Sequence, residues 1–155
     1  RLVWGCGNLF VFQNVGPHEK DPLMPLQERY QYEETTDLEF FQDLHIVDYS
    51  VPAAMTRGVP SSLKFVHVPK ENSALSDYVM FTSFLNTETG HLYQSANLPS
   101  FGVIQPEDWV KDRYYVENLS MALPEFLDEG VYKVFLGMGN KIRTRSIYLG
   151  DVEVL

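Results

Sequence analysis

From residue 37 to the end of the chain, apolar side chains recur every second residue, in segments of four to ten residues separated by turn signals. A period of two places successive side chains on opposite faces of an extended strand, whereas a helix needs a period near 3.6, so this pattern restricts the chain to β-structure. Leu38, Phe40, Leu44 and Ile46 share one parity, broken by Gln42, while Glu39, Asp43 and His45 share the other. One face of that hairpin is expected to be buried and the other wet. Further segments fall at 62–68, 77–85, 91–96, 114–121, 131–138, 143–149 and 152–155, which with the first pair makes about nine strands. The links Asn86-Thr-Glu-Thr-Gly90 and Gly139-Asn140 are too short for a crossover helix, so neighbouring strands are expected to run antiparallel.

Short strands at regular spacing over this length predict an all-β fold: an antiparallel two-sheet sandwich over 37–155, immunoglobulin-like or jelly-roll, with an eight-stranded barrel as the alternative. Residues 1–36 read differently. One apolar run, Asn8 to Gln13, is followed by Gly16-Pro17, Pro22 and Pro25, which break any regular element. This stretch is expected to be an irregular N-terminal extension packed on the domain. Two segments, Tyr78 to Leu85 and Val131 to Leu136, are apolar on both parities, so each needs cover on both faces, and the extension is the expected cover. The chain opens on Arg1 with no initiator Met, as a processed product or a piece of a longer protein would.

Charge excludes one broad class of partner. Twelve Lys and Arg stand against 21 Asp and Glu, a formal net charge of −9, which is the wrong sign for wrapping a phosphate backbone. Residues 1–50 carry three basic and nine acidic residues, so six of the nine net negative charges sit in the first third. The cluster Glu28, Glu33, Glu34, Asp37, Glu39 and Asp43 reads as a solvated face. Arg143 and Arg145 project from one parity of a late segment, where they can pair with those acids or with an anionic partner, and the intramolecular pairing is the more economical. No segment reaches the roughly 18–20 apolar residues of a membrane-spanning helix. Cys6 is the only cysteine, which excludes an internal disulfide and a four-cysteine zinc site, and it reads as a buried or half-buried free thiol.

No catalytic or cofactor signature is present: there is no nucleophile elbow, phosphate-binding glycine loop, zinc-protease helix or calcium loop. Glu107, Asp108 and Asp112 gather around Trp109, and a carboxylate pair beside an aromatic platform is what a glycosidase requires. That makes a jelly-roll carbohydrate-active enzyme the alternative function. His18, His45, His67 and His91 are scattered singly, so a cupin-like metal site would need the fold to gather them, and neither a metal nor a cofactor is expected. Aromatic residues are abundant, with ten Phe, nine Tyr and two Trp. Trp109, Tyr114, Tyr115, Tyr30 and Tyr32 fall in polar or loop-proximal contexts, where a ring with a polar edge can stack on a sugar or anchor a partner. Tyr132, after Gly130-Val131, reads as a core or corner residue instead.

Several short runs resemble a known family. Asp77-Tyr78 opens a segment that turns at Leu85-Asn-Thr-Glu-Thr-Gly-His91; Pro106-Glu-Asp-Trp109, Leu123-Pro124 and Leu127-Asp-Glu-Gly-Val-Tyr132 follow; Tyr148-Leu-Gly-Asp-Val-Glu-Val154 closes the chain. This pattern, over about three fifths of the chain, resembles the soluble β-sandwich domain at the C-terminal end of some bacterial membrane glycosyltransferases and related cell-envelope proteins. It is loosely similar to the sandwich by which some polysaccharide exporters hold their glycan. The resemblance implies a non-catalytic accessory role outside the cytoplasm, as a binding or assembly module for protein partners in a membrane assembly or for a glycan. It carries over no catalytic residue.

Overall fold

The computed structural model describes residues 2–6, 9–12, 27–28, 34–41, 43–71, 78–102, 104 and 106–155. Twelve strands and two short 3₁₀ turns make up the regular structure among them, so the expectation of an all-β, two-sheet fold holds. In chain order the strands are β1 (Leu2–Cys6), β2 (Leu9–Phe12), β3 (Gln27–Glu28), β4 (Leu38–Phe41), β5 (Leu44–Ser50), β6 (Ala54–Met55), β7 (Ser61–Pro69), β8 (Val79–Asn86), β9 (Leu92–Asn97), β10 (Tyr114–Met121), β11 (Gly130–Gly139) and β12 (Thr144–Val154). The 3₁₀ turns, Pro99–Gly102 and Pro106–Asp108, lie between β9 and β10.

Five strands form one sheet in the order β3-β10-β7-β5-β4, and five form the other in the order β6-β12-β11-β8-β9; β1 and β2 pair by themselves. All pairings are antiparallel except β6 with β12, which is parallel. The two five-stranded sheets enclose a single core. Phe40, Leu44, Ile46, Phe65 and Tyr115 from the first meet Met80, Phe84, Tyr132, Leu136 and Val152 from the second. The parity read from 38–46 is kept, with Phe40, Leu44 and Ile46 fully buried, since burial of one face fixes the register of a strand.

Two turns show why these segments pair as they do. Between β8 and β9 the side-chain oxygen of Asn86 accepts the backbone N–H of Glu88 and of Thr89, each at 2.9 Å, and Gly90 takes φ +73°, a backbone conformation that residues with a side chain rarely adopt. At the chain's end the expected break between 143–149 and 152–155 is a bulge. Val134 faces Gly150 and Phe135 faces Tyr148, so Leu149 is the extra residue, and Gly150 at φ +145° lets β12 continue through it.

The doubly apolar segments β8 and β11 stand side by side in the second sheet. On the outer face of this sheet Val79, Val131 and, on β12, Tyr148 are exposed, and among the described residues Phe81 lies over Gly137 while Phe135 meets Tyr148 with ring centroids 5.6 Å apart. Of the extension, β3 adds to the β10 edge of the first sheet. The expectation of an irregular extension fails at 2–6 and 9–12, where β1 and β2 form an antiparallel pair because the apolar run at 9–12 finds a partner strand in 2–6, and residues 1, 7–8, 13–26 and 29–33 lie outside the described residues. The outer face of the first sheet carries a small apolar cluster of its own, Val47, Val66, Val68 and Val116. Among the described residues no helix is long and apolar enough to cross a membrane.

Candidate functional site

Trp109 and Tyr115, expected as exposed platforms, are core residues. Trp109 is 2% exposed and stacks on Tyr115, which is fully buried, with centroids 4.6 Å apart and planes 17° from parallel. The reason is register. Tyr115 opens the core-facing parity of β10, and its hydroxyl accepts the N–H of Val110 at 2.7 Å, which pulls the 106–110 turn down over the core with Trp109 inside it. Burial pushes the Tyr115 hydroxyl above the ordinary tyrosine range. Glu107, Asp108 and Asp112 stay exposed on the solvent side of that turn. A glycosidase needs its two carboxyls across a substrate, so this arrangement gives the enzyme alternative no support. Tyr114, on the opposite parity, donates to Glu34 at 3.1 Å. Tyr30, Tyr32 and His18 lie outside the described residues.

Arg143 and Arg145 reach across to the acids of β4 and the β4–β5 turn. Arg143 lies over the Phe41 ring at 4.2 Å, donates to the Tyr78 hydroxyl and pairs with Asp43 at 3.3 Å, while Arg145 stands 3.5 Å from Glu39. The intramolecular pairing therefore holds for both arginines, and the clasp closes the β4 margin of the sandwich.

Beneath the Trp109 turn lies a polar pair that sequence reasoning did not single out as such. His67 on β7 and Glu117 on β10 are both sealed from solvent, with Nε2 and Oε1 3.7 Å apart. The Glu117 carboxylate oxygen Oε1 accepts the N–H of Ser100, itself at φ +50°, at 2.9 Å. Burial pushes the Glu117 carboxyl up to about 7, against the pull of hydrogen bonds from Ser100 and Asn97, and pushes the His67 imidazole down to about 4. Neither ring nitrogen of His67 has a hydrogen-bond partner. Among the described residues no group of three or more His, Cys, Asp or Glu is placed to hold a metal ion.

An open cleft of about 350 Å³ lies elsewhere, at the start of β9, lined by His91, Leu92, Tyr93 and Gln94 on one side and by Phe126, Leu127, Asp128 and Tyr132 on the other. Its size falls within the roughly 300–1,000 Å³ of small-ligand and side-chain pockets. The wall is held from behind. Tyr132 donates its hydroxyl to the carbonyl of Asp128 at 2.8 Å, the corner role expected of it, and Arg57 donates to the carbonyl of Leu127 at 2.8 Å and to Glu129. The rim is mixed where water reaches it, with Phe126 81% and Leu92 61% exposed beside the exposed His91, Gln94 and Asp128. His91 stands 3.5 Å from Asp128 across the mouth. The signal available in the sequence for this site is Phe126, a large ring in an otherwise acidic loop.

The cleft adjoins the outer side of β9, which pairs with no strand among the described residues. Asn86 donates to the carbonyl of His91 at 2.9 Å, and alternation along the ladder then turns the backbone groups of Tyr93, Ser95 and Asn97 toward β8 and those of Leu92, Gln94 and Ala96 outward. The four sheet margins differ in their protection. β3 and β6 have two residues each, and β4 has a register shift after Glu39 and carries the Arg143 and Arg145 clasp. β9 runs six residues in unbroken register with no charge and no proline. Short length, charge and bulges are the devices that keep sheet edges from pairing, and β9 has none of them.

No model of a known protein family matches the chain, and no curated protein does. It is similar to a solved structure described as "AvmM Catalyzes Macrocyclization in Alchivemycin A Biosynthesis", with 12% identity and a TM-score of 0.45 over 76% of this chain and 94% of that one. A likeness of that degree leaves the function to the chain's own geometry.

Proposed function

We propose that the protein is a non-catalytic binding and assembly module of the cell envelope, which docks an extended segment of a protein partner on the edge of β9 and seats one of its apolar side chains in the adjoining cleft. The observation that carries this reading is the unprotected edge. Added strands gain affinity from main-chain hydrogen bonds and specificity from pockets for alternate side chains, and β9 offers both in one place: outward groups at Leu92, Gln94 and Ala96 and a cleft walled by Tyr93, Phe126 and Leu127. The envelope location rests on the resemblance carried by Leu123-Pro124 and Leu127–Tyr132. A glycan is the second reading, favoured by the rings of Tyr93 and Phe126 beside the polar groups of His91, Gln94 and Asp128.

Gln94→Pro tests the reading. Its N–H points away from β8, so proline there removes an edge donor and leaves the backbone ladder with β8 in place, at the cost of the bond the Gln94 amide donates to the Ser83 hydroxyl at 2.8 Å. Native mass spectrometry of material from the source is expected to find the wild-type chain in an assembly and the folded variant released from it. A variant that stays in the assembly, or a wild-type chain found alone, overturns the proposal. Loss of envelope-polysaccharide binding in Phe126→Ala, with the assembly unaffected by Gln94→Pro, transfers the site to the glycan reading.

A further inference from the structure

Resting on the reading of β9 as a docking edge, we infer that the partner's segment is basic and lays an arginine across the mouth of the cleft, over the Phe126 ring and against the Asp128 carboxylate.

The molecule already holds one arginine in this way. At the β4–β5 turn Phe41 and Asp43 stand two residues apart, and Arg143 arrives from the opposite sheet. Its guanidinium carbon lies 4.2 Å from the Phe41 centroid and its Nη2 lies 3.3 Å from each Asp43 oxygen. A ring face attracts a cation through its quadrupole while a carboxylate accepts N–H groups, so the two on one stretch of chain make a two-point site for a guanidinium. Phe126 and Asp128 repeat that Phe-x-Asp spacing in the loop between β10 and β11, and both line the cleft. There the ring is bare, at 81% exposure, and the carboxylate side chain is 57% exposed.

The loop is held before anything binds. Tyr132 donates to the carbonyl of Asp128, and Arg57 is committed to Glu129 and to the carbonyls of Leu127 and Leu155. His91 stands 3.5 Å from Asp128, longer than a hydrogen bond, which leaves the carboxylate open to N–H donors. Charge sets the sign of the occupant. The loops that meet at this end of the sandwich, 51–60, 87–91 and 122–129, carry the carboxylates of Glu88, Glu125, Asp128 and Glu129 against the single arginine Arg57, a field that favours a cation. Arginine suits the site better than lysine, because its planar fork can stack on a ring while its N–H groups meet a carboxylate. On a segment added to β9 this arginine sits two residues from the apolar side chain that fills the cleft, since alternate residues of a strand share a face.

The probe is the peptide acetyl-Thr-Val-Thr-Arg-Thr-Val-Thr-amide, compared with its citrulline analogue, which keeps the shape of the side chain and loses the charge. Titrations followed by backbone amide NMR shifts give both affinities. The wild type is expected to bind the arginine peptide about tenfold more tightly than the citrulline peptide, with the largest shifts at 126–128. Phe126→Leu and Asp128→Asn change exposed positions and are expected to melt as the wild type does, and each is expected to cut that preference to about threefold or less. Equal affinity for the two peptides overturns the inference and gives the mouth to an uncharged occupant such as a glycan. A wild type that binds neither peptide, or a preference that survives Asp128→Asn at full size, overturns it too. The docking reading itself fails separately, if Gln94→Pro leaves the native assembly intact.

Discussion

His67 and Glu117 face each other at 3.7 Å on adjacent strands, a base and an acid whose neutral forms are both favoured by burial. Their contributions to stability have opposite slopes with pH. Glu117, raised to about 7, keeps a proton that the unfolded chain has released above its ordinary 4.5, so its contribution is full below 4.5 and is lost as pH rises through 7. His67, lowered to about 4, contributes above the unfolded value of 6.5 and loses that contribution as pH falls through 4. The two nearly cancel between pH 4.5 and 6.5, and above that Glu117 alone remains. Glu117→Gln is therefore expected to gain stability relative to the wild type on going from pH 5 to pH 8, by about 2–3 kcal/mol for a shift of this size. Urea midpoints of both proteins at the two pH values measure it, and parallel pH dependences would refute it.

Trp109→Ala is expected to act on stability. The indole fills core volume between Tyr115 and His67, whose ring centroid lies 5.7 Å away, and large-to-small changes at such sites cost about 3–5 kcal/mol. A urea midpoint within error of the wild type would restore Trp109 as a surface platform.

These residues also mark how far the sequence could be read. Alternation at 38–46 and the turn at Asn86–Gly90 are local patterns, and both reappear in the structure as the buried row Phe40, Leu44, Ile46 and as the β8–β9 hairpin. Tyr132 as a corner residue and the arginine pairing were legible too, because a tyrosine after a glycine corner and opposite charges in one chain have few economical partners. Trp109 and Tyr115 were not, since polar neighbours in sequence say nothing about which side of a turn folds over the core. Glu117 looked like one acid among many, and only the pairing of β10 with β7 brings it beneath Ser100 and beside His67. The cleft joins β9 to a loop some thirty residues later, a juxtaposition that no local pattern encodes.

Arg143 closes the sandwich margin by geometry as much as by charge. Its guanidinium carbon sits over the Phe41 ring, 4.2 Å from the centroid, while the same group reaches Tyr78 and Asp43. Arg143→Lys keeps the charge but not the several N–H donors that reach Tyr78 and Asp43 together, so both Arg143→Lys and Arg143→Ala are expected to lower stability by about 1 kcal/mol, with the smaller loss for Lys. High salt is expected to narrow the Lys-to-Ala difference, since the ion pair with Asp43 is partly exposed. Denaturant titrations at low and high salt check this, and full retention of stability by Arg143→Lys would assign the clasp to charge alone.

Gly137 lies directly opposite Phe81 in the β11–β8 ladder, and the phenyl ring lies over it. A Cβ at 137 would sit 1.7 Å from a ring carbon of Phe81, so the ring must leave its place for any larger residue to fit. The absence of a side chain is what lets Phe81 lie down on the outer face of its own sheet and stay half-buried there. Gly137→Ala is therefore expected to destabilise by about 1–3 kcal/mol despite alanine's lower conformational entropy in the unfolded chain. The effect should vanish once the ring is gone: Phe81→Ala with Gly137→Ala is expected to be no less stable than Phe81→Ala alone, because the two changes share one contact and cannot add. Thermal melts of the four proteins close the cycle, and strictly additive losses would show that the ring and the glycine are independent.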